Sequence, residues 1–596
     1  MKRVIISAII FFLPVSLITS PVLVAQGIAS AEQSVQLRDD IQDSPSEDMF
    51  LHIDRDRFIA GEDIWFSIYN IDRQTGKLSE ISSVAYVELL NPWNVPVIQK
   101  RLQLTGGLSE GNIFLSDTLS SGTYTVRAYT NRMKSFLPEN CFMGDVEIFN
   151  PFGNTSFMLK EGSVNKLKFK DNDNRTEEKG RVSLVSDSIF GRREKVTLKI
   201  RNDKDDEGQS DNSVISISVA PSIVSEGLQG INDYFLSKKS EWPEKISETG
   251  TFPGYNSERD GHYLSVLIKY RETGVSDSTD YLYMSTQGKV AEFRYAGIDK
   301  SGRFNFILPI DSKLRNLIIQ PEHASDNMIL GIEPSFSRIL PVSNWIRDTL
   351  NDSRIRVFSE LSFNYQASKI YDTKLKKEVL TIDDKDQKKR RFYGIPELEI
   401  ILDDYIMLPS MQEVFFELIP GVIIRSLKSG FEMKIINPLT GAYYNEPPLV
   451  MIDGVIINDL KVLVDLNPET VEKVEVVKTP YLIGDLILHG IVNVITRSGD
   501  FSSITMPDYA VILAYRVIDI PYSIMLPDYS DEKNRQSRRP DLRNTLYWNP
   551  SVKTGSNQES VIEFWTSDLP GVYTISIQGI SGSGEKISLN RSFRIR

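Results

Sequence analysis

Apolar residues recur at every second position through most of this chain, and that period constrains the fold more than any other feature. In Ile64-Trp65-Phe66-Ser67-Ile68-Tyr69, the side chains of Ile64, Phe66 and Ile68 share one face of an extended strand. Val84 to Leu90 repeats the pattern, and so does Thr123 to Tyr129, which predicts Tyr124, Val126 and Ala128 inward and Thr125 and Arg127 outward. Turn residues separate these runs at Ala60-Gly61-Glu62, Gln74-Thr75-Gly76, Gly106-Gly107 and Ser121-Gly122. Strands with one apolar face need a second sheet to cover it, so a β-sandwich is expected over 45–150. Further alternating runs at Val196 to Ile200, Val214 to Val219, Tyr281 to Ser285 and Phe304 to Leu308 predict sandwiches over 151–250 and 251–345. Val561 to Trp565 and Val572 to Ile577, followed by the turn Ser581-Gly582-Ser583-Gly584, predict another over 501–596.

Cys141 is the only cysteine, so no intrachain disulfide can form and stability has to come from apolar burial. It reads as a small buried hydrophobe. The N-terminus carries Lys2 and Arg3, an apolar run from Val4 to about Leu17, and small residues ending at Ala29-Ser30-Ala31. That order predicts a secretory leader over 1–31 and an exported chain, periplasmic or associated with the outer membrane. With no cysteine near the cleavage region, a lipid-anchored start is not expected. No later stretch approaches the ~18 uninterrupted apolar residues of a membrane-spanning helix. With 68 basic and 80 acidic residues, the net charge of −12 argues against nucleic acid and anionic lipid as main partners.

The period changes in the second half. The segment 346–399, with the charge run Asp383-Asp384-Lys385-Asp386-Gln387-Lys388-Lys389-Arg390-Arg391, reads as a solvated linker. Beyond it, Ser410-Met411-Gln412-Glu413 is a capping box, and Met411, Val414, Phe415 and Leu418 follow at helical spacing until Pro420-Gly421. Asn467-Pro468 is a second helix-start signal, leading through Val471 into the alternating strand Val474-Glu475-Val476. A small α+β domain over 400–500 is expected.

Two resemblances sharpen this outline. The run from His52 to Phe66, with Gly61-Glu62 before an apolar strand, resembles the opening of the second macroglobulin domain of alpha-2-macroglobulin-like proteins. Gly111 to Leu115 and Ser121 to Asn131 are similar to the variant found in Bacteroidetes-type envelope proteins. The thioester of that family needs a Cys-Gly-Glu-Gln-like segment, whereas Cys141 is followed by Phe142-Met143-Gly144, so covalent protease trapping is not implied. Pro448 to Val455, Leu466 to Lys478 and Gly490 to Thr496 resemble successive elements of the plug domain of TonB-dependent outer-membrane receptors. In that family a barrel of about 22 strands follows, and the 96 residues after Asp500 are too few to make one. The fold class expected is therefore mainly β: tandem immunoglobulin-like or macroglobulin-like sandwiches with one small plug-like domain.

Signals for catalysis are lacking. His52, His262, His323 and His489 fall at no metal-ligand spacing, and no metal or cofactor is expected. Asp203-Lys204-Asp205-Asp206-Glu207-Gly208 resembles a calcium loop, but its twelfth position is Val214 where a bidentate Glu is needed, so it reads as an acidic surface turn. No Gly-x-Ser-x-Gly elbow, phosphate loop or Cys-His pair is present. The sequence thus points to a non-enzymatic scaffold docking on an outer-membrane or periplasmic protein, with Asp453 and Gly454 of the plug-like turn as candidate contacts. Any association with the membrane would run through that partner, and the oligomeric state is left open. Trp65, Tyr69 and Tyr129 alternate with the core and would share an outer face, either as a binding surface or packed beneath a neighbouring domain. An adhesin or glycan- and peptide-binding protein acting through sandwich loops is the alternative.

Overall fold

The structure is a computed structural model. It describes residues 46–153, 157–160, 182–185, 188–202, 212–239, 255–271, 279–299, 302–323, 327–341, 345–348, 352–371, 378–379, 391–428, 430–501, 505–555 and 559–596. The expected leader, the acidic turn at 203–208 and the charge run at 383–390 lie outside these residues. The chain divides into a larger unit, Asp39–Lys389 with Asp453–Asn458 and Ser498–Arg596, and a smaller one containing Arg390–Ile452 and Asp459–Arg497.

The larger unit is built from β-sandwiches. In the first, a sheet ordered Glu47–Ile53, Asp63–Asp72, Leu108–Phe114 faces one ordered Arg57–Ile59, Phe142–Phe149, Gly122–Thr130, Val84–Leu90, Pro96–Gln103. Ile64, Phe66 and Ile68 are fully buried between them, as the alternation requires, together with Tyr124, Val126 and Ala128.

The sandwiches expected over 151–250 and 501–596 are in fact two halves of one. Ser213–Pro221 runs antiparallel to Gly571–Ser581, from Ser213 opposite Ser581 to Pro221 opposite Tyr573. Lys195–Asn202 pairs with Glu559–Trp565 in the facing sheet. Ile217, Phe564, Tyr573 and Phe593 are buried in their common core. A third sandwich carries the strands expected over 251–345, plus Val511–Arg516, which adds to Leu314–Pro321 from nearly two hundred residues away. The chain order is therefore nested: the second sandwich opens, the third forms within it, the smaller unit follows, and the third and then the second are closed by returning strands. Alternation identifies a strand but not its partner, which is why the sequence suggested separate domains.

The described parts of the expected linker 346–399 are also structured. Trp345–Asp348 pairs antiparallel with Phe157–Lys160, and Asp352–Tyr371 is a 20-residue helix. Phe358 and Leu361 of that helix are buried against Ile59, Ala220 and Val224, with Phe358 stacked on Phe149 at 5.1 Å. So narrow an apolar stripe leaves little periodic signal among the polar positions.

In the smaller unit, Leu398–Ile401, Val471–Val477 and Ile491–Thr496 are successive antiparallel neighbours, and Leu449–Ile452 joins Ile491–Thr496 in parallel. The Ser410 half of the expected capping box forms: the Ser410 hydroxyl accepts the Glu413 N–H at 3.3 Å, and the helix Met411–Leu418 buries Met411, Val414 and Phe415. Asn467 caps the short turn Pro468–Thr470 before Val471–Val477. Two hairpins, Val422–Leu427 with Gly430–Ile435 and Tyr481–Ile483 with Leu486–Leu488, complete the unit.

Candidate interaction surface

All five residues singled out from the sequence are buried or lie in a packed turn, and for the three aromatics the reason is that a second layer covers what one sandwich alone would expose. The Tyr69 hydroxyl lies within hydrogen-bond distance of Ser216 Oγ at 2.8 Å and of the Gln578 carbonyl at 3.0 Å, both on the second sandwich. Trp65 is 8% exposed and meets Tyr522 edge to face at 5.4 Å. The Tyr129 hydroxyl donates to Glu88 at 3.0 Å and accepts the Ser337 N–H, while its ring stacks on Tyr86 at 5.6 Å. The expected outer aromatic face is thus an interior layer. Asp453 is fully buried in the larger unit, its carboxylate accepting the Phe501 N–H and its carbonyl accepting the Gly288 N–H. Gly454 has φ +77°, and a Cβ there would stand 2.9 Å from the Thr286 carbonyl. This turn offers no free docking surface.

Arg127, expected to face outward, is also fully buried, paired with the equally buried Glu88. Beside it lies a second buried network. His262 Nδ1 is 2.8 Å from Glu258, and Tyr86 donates to the same carboxylate at 2.9 Å. Burial lowers the His262 pKa, against the raising effect of Glu258. Neither network is open to a substrate, so both read as structural joints between sandwiches. Cys141 is buried as expected, its thiol pushed up to about 11 by desolvation, which makes it unreactive at neutral pH. No group of three or more potential metal ligands is found among the described residues.

The smaller unit has a different surface. Leu398–Ile401 ends its sheet, bonded on one side to Val471–Val477, and among the described residues no strand pairs with its other edge. The cross-strand carboxylates of Glu399 and Glu475 are bridged by Lys473 Nζ at 2.7 Å to each. Immediately after this strand the chain makes the 3-10 turn Leu402–Asp404. Arg497 fixes the turn by a two-pronged bond to the Asp403 carboxylate at 3.0 and 2.6 Å, and this bond lowers the Asp403 pKa. The turn presents three consecutive apolar residues to solvent, Tyr405, Ile406 and Met407, with Ile406 89% exposed. Single exposed apolar residues are ordinary, but an uninterrupted exposed run is not. The hairpin adds the cross-strand pair Leu482 and Ile487, both exposed. Sequence reasoning missed the Tyr405 to Met407 run; its signal was an apolar triplet lying before the capping box, outside the helical period.

No family model and no curated protein matches the sequence. Among solved structures, Salmonella alpha-2-macroglobulin reacted with methylamine is similar at 10% identity, with 93% of this chain and 40% of that one covered and a TM-score of 0.24. Native Escherichia coli alpha-2-macroglobulin is similar at 10% identity over 94% of this chain and 40% of its own, with a TM-score of 0.23. The E. coli protein activated by porcine elastase gives 9% identity, 92% and 44% coverage and a TM-score of 0.23. The chain spans less than half the length of these structures. At such scores the likeness carries no argument about function, and the mainly β, multi-sandwich fold class rests on the strands and sheets described above.

Proposed function

We propose that this chain is a non-enzymatic binding protein of the cell envelope, which docks on an outer-membrane or periplasmic protein through its smaller unit. The partner it fits is a protein offering a strand edge flanked by an apolar pocket. The observation that carries this reading is the exposed run Tyr405-Ile406-Met407 directly following the open edge Leu398–Ile401. An added strand would take its affinity from main-chain bonds along the edge, and its specificity from side chains seated beside it. Fully burying an exposed large apolar side chain contributes about 1.5–3 kcal/mol; Ile406 offers most of that and the half-exposed Tyr405 and Met407 part of it, so main-chain bonds along the edge must supply the rest. The leader-like N-terminus and the resemblance to a receptor plug support an envelope setting.

The test is affinity purification of the tagged full chain from its own cells, comparing wild type with the triple variant Tyr405→Ser, Ile406→Ser, Met407→Ser. All three side chains are exposed, so the melting curve is expected to be unchanged. One envelope protein recovered stoichiometrically with wild type and lost from the triple variant supports the proposal. An unchanged set of recovered proteins sinks it.

A further inference from the structure

At one end of the third sandwich a pocket with ≈ 20 Å³ of free space opens between the two sheets. Strand ends frame it: Thr286 closes Tyr281–Thr286, Glu292 opens Glu292–Gly297, Leu308 closes Arg303–Leu308, and Arg315 is the second residue of Leu314–Pro321. Its wall is mostly core, for Met284, Leu308, Leu317 and Val517 are each at most 3% exposed. All of these residues belong to the larger unit, so the pocket is independent of the docking edge of the smaller one.

Two arginines line this wall, and only one of them is answered. Asp311 holds Arg315 by two parallel bonds at 2.5 and 2.6 Å, and Glu292 lies 3.9 Å from its Nε. The Arg294 guanidinium has no hydrogen bond or ion pair among the described residues. Burial works against its charge, Glu292 and Asp311 attract it from beyond ion-pair distance, and Arg315 repels it. Burial outweighs the attraction, so the Arg294 pKa is lowered.

The register explains why this charge is inside. Arg294 stands opposite Met284 on an edge strand and alternates with Ala296, which stands opposite Leu282; Met284, Ala296 and Leu282 are all buried in the sandwich core. The Arg294 side chain therefore projects from the inner face, where an apolar residue would pack best. Thr286, two places along from Met284 and so diagonal to Arg294, shares that face. Its hydroxyl also has no partner among the described residues. A charge and a hydroxyl left unanswered in an apolar wall carry a desolvation cost that a ligand with acceptor oxygens would offset.

We infer that this pocket binds a carboxylate group, seated between the Arg294 guanidinium and the Thr286 hydroxyl, with its adjoining carbon against Met284, Leu308 and Val517. The planar fork of guanidinium donors matches the two oxygens of a carboxylate. Free space of this size holds about one or two water-sized groups, which admits those oxygens and not a tetrahedral oxyanion. Glu292 and Asp311 nearby favour one negative charge over two. The rest of the ligand lies outside the mouth, so the group comes from a short free monocarboxylic acid or from an acidic side chain of another protein.

The test is saturation-transfer NMR on the full chain with three probes at constant ionic strength: propionate, an Ala-Glu-Ala peptide blocked at both ends, and inorganic phosphate. Saturable binding of propionate or the peptide, with none of phosphate, is the expected result. Propionate alone identifies a free acid as the source, the peptide alone a protein side chain, and binding of both shows that the pocket reads only the carboxylate. Arg294→Gln should weaken binding at least tenfold, and the isosteric Thr286→Val about threefold, which carries the test should the arginine variant fail to fold. Arg294→Met should melt no lower than wild type in ligand-free buffer, because it removes an unanswered charge. The inference is overturned by any of four outcomes: no saturable binding of either carboxylate, unchanged affinity in a folded variant, phosphate bound as tightly, or a lower melt in Arg294→Met, which would mean that the protein itself already answers the arginine.

Discussion

Replacing Arg127 with Met should destabilise the first sandwich severely, whereas replacing Arg127 and Glu88 together should not. Both side chains are fully buried. Arg127 Nε donates to Glu88 at 2.8 Å, Nη2 reaches the same carboxylate, and Nη1 donates to the Ile339 carbonyl at 2.6 Å. In Arg127→Met, Glu88 keeps only the Tyr129 hydroxyl at 3.0 Å and Gln99 Nε2 at 2.8 Å as donors, in a site closed to water. Breaking a buried pair on one side costs about 3–5 kcal/mol, whereas replacing both partners by apolar residues of similar volume is often neutral or stabilising. The lost bond to the Ile339 carbonyl adds about 1 kcal/mol to either variant. Because a chain of several units need not unfold in one step, the readout is native-state hydrogen exchange in peptides covering Gly122–Thr130 and Val84–Leu90, followed against urea. The expected pattern is a local opening free energy lower by about 4–6 kcal/mol in Arg127→Met and within about 2 kcal/mol of wild type in Arg127→Met with Glu88→Met. A single variant within about 1 kcal/mol of wild type would show that the chain around Ile339 leaves this face open to water, and the account of the covered sandwich would fall.

Two further outcomes are expected. Burial holds His52 down to about 3 from its ordinary 6.5, so the folded protein must keep it neutral, and the stability this supplies is lost as pH falls from about 6.5 towards 3. Asp54 and Asp56, pushed up to about 6, act in the opposite sense: their contribution is present at low pH and lost as pH rises through about 6. The difference between wild type and His52→Gln isolates the histidine, and it should shift against wild type by about 2–3 kcal/mol between pH 7 and 4.5 in urea titrations; a difference that does not change with pH contradicts the burial. Gly454→Ala meets both a positive φ and the Thr286 carbonyl, so thermal melting should show a loss of more than about 1 kcal/mol, and an unchanged melt would mean the turn is not held as described.

Period-two alternation located strands such as Asp63–Asp72 and Gly122–Thr130, and the capping box located Met411–Leu418, because these signals are local. It could not pair Ser213–Pro221 with Gly571–Ser581, since a strand's partner is chosen by tertiary packing across hundreds of residues. Alternation also assumes one wet face. Tyr69, Trp65, Tyr129 and Arg127 failed that assumption because neighbouring sandwiches cover the second face, and the hydroxyls and guanidinium found partners there instead of water. The open edge Leu398–Ile401 lay at the end of an expected linker, and a four-residue strand carries too few alternations to be read.

The central claim is that the smaller unit docks through Leu398 to Met407. It is tested most directly by hydrogen exchange on the full chain, purified alone and with the protein recovered from its own cells. The account predicts that amides of Leu398–Ile401 and the Tyr405 to Met407 segment gain protection in the complex, while that of Phe152, exposed on the larger unit, does not change. Protection that appears elsewhere and leaves 398–407 exchanging as in the free chain would contradict it.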